Sequence, residues 1–172
     1  MGMTSVRVGY GYDSHRFVVP GSPGAGRRLV LGGVEFPGET GLAGHSDADV
    51  LVHAVIDALL GAAALGDIGS HFPDTDERWR GADSTRLLSA VVDEVAAAGW
   101  AVGNIDATVI CERPKLRAQV DAIRRRLAAV LRVGVGQVSV KGKTNERMDD
   151  VGAGVGIEAH AVALLESAGP AR

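Results

Sequence analysis

Ser46-Asp47-Ala48-Asp49-Val50-Leu51-Val52-His53-Ala54-Val55-Ile56-Asp57-Ala58-Leu59-Leu60 settles the kind of fold this chain takes. Leu51, Val52, Val55, Leu59 and Leu60 recur with helical period, which predicts a helix with Ser46 as N-cap and Asp49 completing a variant capping box. On its N-terminal side, Ser5 to Tyr12 alternates as a strand does and runs into the polar turn Asp13-Ser14-His15-Arg16. Pro20 to Gly26 reads as a turn. Arg27 to Phe36 reads as a hairpin return strand with a bulge or bend at Gly32-Gly33, followed by a loop from Pro37 to Gly44. On the C-terminal side, Gly66 to Asp76 is a loop, and a second helix starts at Ser84 and ends before Gly99, a suitable C′ glycine. Ala101 to Cys111 is β-like, Leu116 to Val133 a third helix, and Gln137 to Lys141 a strand. Lys143 to Gly156 reads as a loop and Ile157 to Glu166 as a closing helix. This interleaving predicts one domain over 1–172, of α/β (α+β) class, with a mixed four- to five-stranded sheet, helices on one face and a flexible tail at 167–172.

The bulk properties narrow the function classes. A chain of 172 residues is long enough to bury a core without staples. Its aromatics are two Trp, two Tyr and three Phe, so aliphatic side chains must fill that core. A net charge of -3 argues against nucleic acid as the main partner, which calls for a basic face. Cys111 is the single cysteine, which rules out an internal disulfide and suits a reducing compartment. No run reaches the ~18 apolar residues of a membrane span. Met1 to Gly11 has one Arg and no apolar core, so it does not read as a secretion signal. A cytoplasmic location is expected.

Chemistry concentrates around three histidines. Asp13 and His15 are i and i+2 at the end of a strand, so an extended backbone points both the same way. Asp49, His53 and Asp57 fall at i, i+4 and i+8 of the helix, along one stripe of an otherwise apolar surface. Buried polar groups need each other or a ligand, at a cost of about a few kcal/mol otherwise. One Asp and two His suit zinc with a fourth position open to substrate. An Asp on the other ring nitrogen is the usual support for such a ligand. The spacing alone leaves a metal centre and ordinary satisfied residues equally open. His45-Ser46-Asp47, at a helix N-terminus, suits either an anion or a plain cap. The carboxylates of Asp67 and of Phe72-Pro73-Asp74-Thr75-Asp76 suit hydroxyls, a second metal or a solvated turn.

Other motifs fail on their own terms. Lys141-Gly142-Lys143-Thr144-Asn145-Glu146 is not a Walker A, because position 137 is Gln where a Gly is required. The glycines from Gly152 to Gly156 open no strand-to-helix unit of the dinucleotide kind. Cys111 has no evident activator and reads as structural. No nucleophile elbow occurs. If the chain is an enzyme, its nucleophile belongs to the substrate or to water.

Taken together, the run from His45 through His53 to Gly69 and Phe72 to Asp76 resembles the 2-C-methyl-D-erythritol 2,4-cyclodiphosphate synthases of the non-mevalonate isoprenoid pathway. Gly11 to Phe17, Gly81 to Ser84, Arg113 to Leu116 and Lys143 to Glu146 match in order as well, and the likeness spans nearly the whole chain. It implies a CMP-forming phosphorus–oxygen lyase that acts on 4-diphosphocytidyl-2-C-methyl-D-erythritol 2-phosphate. The substrate's own 2-phosphate attacks the β-phosphorus, which explains the missing protein nucleophile. The resemblance implies zinc on Asp13, His15 and His53, and a second ion, magnesium or manganese, on the diphosphate near Glu146. It implies transition-state support from His45 and Thr144, and ribose and methylerythritol contacts from Asp67, Ile68, Gly69 and the Phe72 to Asp76 loop. Cytosine would be read by Cys111-Glu112-Arg113-Pro114-Lys115-Leu116-Arg117. Further substrate contacts are implied at Asp13, His15, Ser46, Asp49, Lys143 and Asn145. Such enzymes are homotrimers with sites between subunits, with neither nucleic acid nor membrane as partner.

One segment departs. Asp150, Ala153 and Val155 stand where the family has an apolar residue, Arg and Glu, at positions facing the trimer axis where isoprenoid diphosphates bind. A lost cation and a gained anion disfavour a diphosphate there. Two other readings remain: a metal-dependent phosphatase or nucleotide hydrolase, and an inactive trimeric metabolite-binding relative.

Overall fold

Val6–Arg16 forms one long strand, β1, in the computed structural model, which describes residues 5–168. β1 carries straight through Asp13 to Arg16, where the sequence suggested a turn, because Asp13 to Arg16 keep pairing with the last strand. Arg28–Leu31 (β2) and Val34–Thr40 (β3) follow as a separate antiparallel hairpin, so the expected single return strand is two strands hinged at Gly32-Gly33. Both glycines have positive φ, the backbone a two-residue hairpin turn requires. Val50–Ala63 (α1) and the short Ile68–His71 (α2) come next, then Ser84–Ala97 (α3). Trp100–Ile110 (β4), Val120–Leu131 (α4), Val138–Lys143 (β5), Asp149–Gly152 (α5) and Gly156–Ser167 (β6) complete the chain.

The main sheet has the order β1-β6-β4-β5, with β4 and β5 parallel and the other pairs antiparallel. α1 packs on β1 and β6, and α3 and α4 extend that layer on the same side of the sheet. The closing helix expected over 157–166 is instead β6. Its side chains have period two: Ile157, Ala159, Ala161, Ala163 and Leu165 are buried, while Val162 and Glu166 face out. The alanine-rich composition suggested a helix, but tertiary pairing on both sides overrides that propensity. The tail expected at 167–172 lies outside the described residues from 169 onward. Ser167 ends β6, and Ala168 N–H bonds the Gly99 carbonyl.

Small residues explain how closely α1 sits. Gly9 and Gly11 of β1 face α1 and pair across the sheet with Ala163 and Ala161. A Cβ on Gly11 would lie 1.9 Å from the Ala54 carbonyl oxygen, and one on Gly9 2.0 Å from that of Ala58. The strand therefore touches the helix backbone. α1 is buried on nearly every side, which fits its almost wholly apolar sequence. Each Leu or Val fully withdrawn there is worth roughly 1.5–3 kcal/mol.

Candidate active site

The parity of β1 brings Asp13 and His15 to the α1 side of the sheet, following Gly9 and Gly11. α1 supplies His53 one turn in from its start. His53 Nδ1 lies 2.9 Å from Asp13 Oδ2, His15 Nε2 3.0 Å from the same oxygen, and the two ring nitrogens 3.2 Å apart. One ligand atom from each of the three falls within a 4.8 Å cluster, as a shared cation requires. The donor set of one carboxylate and two imidazoles fits a divalent metal of the zinc type.

The electrostatics point the same way. Burial opposes ionisation of Asp13, but hydrogen bonds to His15 and His53 and their charges outweigh it and bring the carboxyl down to about 2. Burial likewise opposes charge on His15, yet the Asp13 carboxylate beside it raises the imidazole above its ordinary range. A bound cation would take the place of the proton that this pair now attracts.

A cavity of about 450 Å³ opens at the triad. It is lined by Asp13, His15, His45, Ser46 and His53 on one side and by Ile68, Gly69, Phe72, Pro73, Asp74 and Trp79 on the other. His45 Nε2–H donates to the Asp76 carbonyl at 2.9 Å, which fixes the ring against the 72–76 loop. Asp67 caps α2 through Ser70 N–H, and the Asp76 carboxylate is held by Arg78. Thr75 stands in the turn between Pro73 and Asp76, closed by an Asp76 N–H bond to the Pro73 carbonyl. Asp57 accepts the Ile68 N–H at 2.7 Å, so this member of the helical stripe anchors the loop and not the triad.

Two readings of the helix start change. The N-cap is Asp49, not Ser46. Asp49 is fully buried, and its two oxygens accept from Gly32 N–H, Gly33 N–H and Val52 N–H. Burial pushes its carboxyl up to about 6 despite those bonds. Asp49 thus ties the β2–β3 hairpin to α1 and does not line the cavity. Ser46 sits behind His53 instead, with its hydroxyl 3.1 Å from Nε2.

A second cavity of about 330 Å³ gathers Cys111, Pro114, Lys115, Leu116 and Arg117 with Lys143 and Thr144. Glu112 accepts Asn145 N–H, and the Thr144 hydroxyl donates to Glu146 at 2.5 Å. Arg113 lines a neighbouring depression with Glu39 and Lys115. Burial raises the Cys111 thiol to about 11, in keeping with a structural residue. The two cavities share no lining residue.

Sequence spacing missed three supporting residues. Ser84 Oγ lies 2.9 Å from His53 Nε2, and Asp47 holds Ser84 in turn. Arg27 donates to the Gly44 and Ser46 carbonyls, which pins the turn before α1. Ser84 was legible only as a helix start, and its reach to His53 is a long-range contact.

Residues 6–166 match the YgbB family. The chain is 56% identical over 166 residues to the 2-C-methyl-D-erythritol 2,4-cyclodiphosphate synthase of Rubrobacter xylanophilus, covering 96% of this chain and 98% of that one. Among solved structures, the bifunctional IspDF of Campylobacter jejuni superposes with a TM-score of 0.89 at 36% identity, covering 96% of this chain and 43% of the longer one. A CDP complex of the Plasmodium falciparum IspF superposes at 0.82 with 32% identity, covering 95% and 97%.

Proposed function

The chain belongs to the YgbB family, and on that footing we propose that its site converts 4-diphosphocytidyl-2-C-methyl-D-erythritol 2-phosphate to 2-C-methyl-D-erythritol 2,4-cyclodiphosphate and CMP. The observation that carries this reading is the convergence of Asp13, His15 and His53 on one point in the wall of a cavity. In the reaction, an oxygen of the 2-phosphate forms a bond to the β-phosphorus. The bond from that phosphorus to the oxygen bridging it to CMP breaks, and CMP leaves with the electron pair. This is phosphorus–oxygen lyase chemistry. The attacking phosphate is already anionic, so no protein base or nucleophile is needed, and the protein contributes position and charge.

Asp13, His15 and His53 would hold zinc, which when bound supplies Lewis acidity and charge neutralisation on a phosphate oxygen. Glu146 would serve a second divalent ion, magnesium or manganese. His45, fixed by the Asp76 carbonyl, borders the cavity where the phosphates would lie. Ile68, Gly69 and the Phe72 to Asp74 wall would accept the methylerythritol end, flanked by Asp67, Thr75 and Asp76. The 111–117 segment would read cytosine, and Lys143, Thr144 and Asn145 would meet the diphosphate. The structure of a relative bound to CDP supports a cytidine subsite in this family.

The two separate cavities favour an assembly in which one chain's triad faces a neighbour's 111–117 and 143–146 segments. The outward face of the sheet supports this too: Val6, Val8, Tyr10, Tyr12 and Val162 are exposed side by side on β1 and β6. An apolar patch of that kind marks an interface. A homotrimer closes such head-to-tail contacts into a ring.

Purified protein incubated with the cytidylyl substrate, Zn²⁺ and Mg²⁺ is expected to yield CMP and a cyclic diphosphate by mass. A linear product would make the protein a hydrolase, and no turnover would make it a binding relative.

A further inference from the structure

His53 touches the cation cluster through one ring nitrogen only, and the other faces a chain of hydroxyl and carboxylate groups. Ser84 Oγ lies 2.9 Å from Nε2, and Ser46 Oγ 3.1 Å from it. Beyond Ser84 stands Asp47, which accepts the Ser84 hydroxyl at 2.5 Å through Oδ1 and the Ser84 N–H at 3.0 Å through Oδ2. Asp47 Oδ1 also accepts the Asp49 N–H at 3.2 Å. His53, Ser46 and Ser84 are all buried.

Proton counting fixes the direction of this chain. A serine hydroxyl has one proton, and the short, charge-assisted bond to Asp47 claims it. Ser84 Oγ can then only accept, so Nε2 must carry the hydrogen. Ser46 Oγ accepts from Ala48 N–H at 3.2 Å and lies 3.5 Å from Ser84 Oγ, so its own proton can go to Ser84 while its lone pair shares Nε2–H. Nδ1 faces Asp13 Oδ2 at 2.9 Å and His15 Nε2 at 3.2 Å, and a cation held there would displace any proton from Nδ1, leaving Nε2–H as the one hydrogen of the ring.

We infer that Asp47 and Ser84 are positioning residues that lock His53 in its Nε2–H tautomer and so present Nδ1 to the metal. The inference rests on the reading of Asp13, His15 and His53 as a metal site. It goes further by assigning what holds the ligand ring in place. Carboxylate–histidine–metal chains are common supports for a ligand, and loss of such a partner typically costs roughly 10- to 100-fold in metal affinity. Here a serine is interposed between carboxylate and imidazole.

The test uses the full-length protein with ¹⁵N-labelled histidine, with His53 signals assigned by their loss in His53→Gln. With and without zinc, His53 should show a protonated Nε2. With Zn²⁺ added, the Nδ1 resonance should shift as the metal-bound atom. Zinc dissociation constants, measured against a chromophoric chelator, should rise roughly 10-fold or more in Ser84→Ala and in the same direction in Asp47→Asn. Ser84→Thr, which keeps the hydroxyl, should stay within about threefold of the parent. Circular dichroism identifies any variant that fails to fold, and the spectra of the unmodified protein decide the tautomer regardless. A bare Nε2, zinc on Nε2, or unchanged zinc affinity in folded Ser84→Ala and Asp47→Asn overturns the inference while leaving the metal site standing. A parent protein that binds no zinc removes the metal site, and the inference with it.

Discussion

At the scale of single residues, His53 is the most exposed to test. His53→Ala removes one of three ligands but leaves α1 apolar, so the protein should stay folded and lose at least roughly 100-fold in zinc affinity, together with most turnover. Metal content by elemental analysis checks this, and an unchanged zinc stoichiometry would put the ligand set elsewhere. The pH behaviour follows from the neighbours of His53. His15 is raised above its unfolded value of 6.5 by Asp13. Its protonated form therefore stabilises the metal-free protein below about pH 6.5, and that contribution is lost as pH rises through the raised folded value. Asp13 is depressed from 3.8 to about 2, so its contribution is present above about pH 4 and is lost as pH falls toward 2. Zinc competes with the His15 proton, so zinc affinity should climb as pH rises through the raised His15 value. Titrations showing a flat affinity across that range would mean that His15 is not a ligand.

The two halves of the triad were legible in the sequence because each is local, while their joining as one metal set was implied only by the family resemblance. Asp13 and His15 follow from strand parity, and His53 from helical period. Ser84, Asp47 and Arg27 were not, because serines, aspartates and arginines near a helix start have ordinary local roles. Only the fold reveals that Ser84 also reaches His53 on another helix. Asp49 is the reverse case: its spacing placed it with His53, but as the first cap of α1 its carboxylate turns to Gly32 and Gly33.

At the scale of elements, the contact between β1 and α1 sets the distance between Asp13 and His53. Gly11→Ala would drive a methyl group into the Ala54 carbonyl, a backbone atom of a buried helix that cannot rotate away. The expected loss is roughly 2–4 kcal/mol of stability, with weakened zinc binding because β1 must move away from α1. Denaturant melts paired with zinc titrations check both, and an unperturbed melting curve would mean that the strand and helix are less tightly joined than this. The same contact explains the misreading of β6. Ala159, Ala161 and Ala163 are small because α1 lies over them, and a run of alanines has the composition of a helix. Its period-two burial depends on two neighbouring strands, β1 and β4, which local propensity does not register. Gly32-Gly33 suits a bulge or bend as well as the hairpin turn it forms, since the three have the same local signature.

At the scale of the whole molecule, the chain has two separate cavities and an exposed apolar strip on β1 and β6. Among the described residues, no helix is long and apolar enough to cross a membrane. Association of three copies through that strip is expected in sedimentation equilibrium. The double variant Val8→Lys and Tyr10→Lys places charge at its centre and should shift the protein to monomer without unfolding it, since both side chains point away from the core. A monomeric parent would contradict the shared site. The altered segment near α5 belongs to this scale as well. Asp150 there is paired with Arg16 at 3.3 Å on the surface.

The most direct test of the account is turnover of the cytidylyl substrate in ¹⁸O-enriched water with zinc and magnesium present. If the 2-phosphate is the nucleophile, CMP and the cyclic diphosphate both form with no ¹⁸O in either product. One ¹⁸O atom in a linear phosphate or diphosphate product would show that water is the acceptor and that the site hydrolyses its substrate.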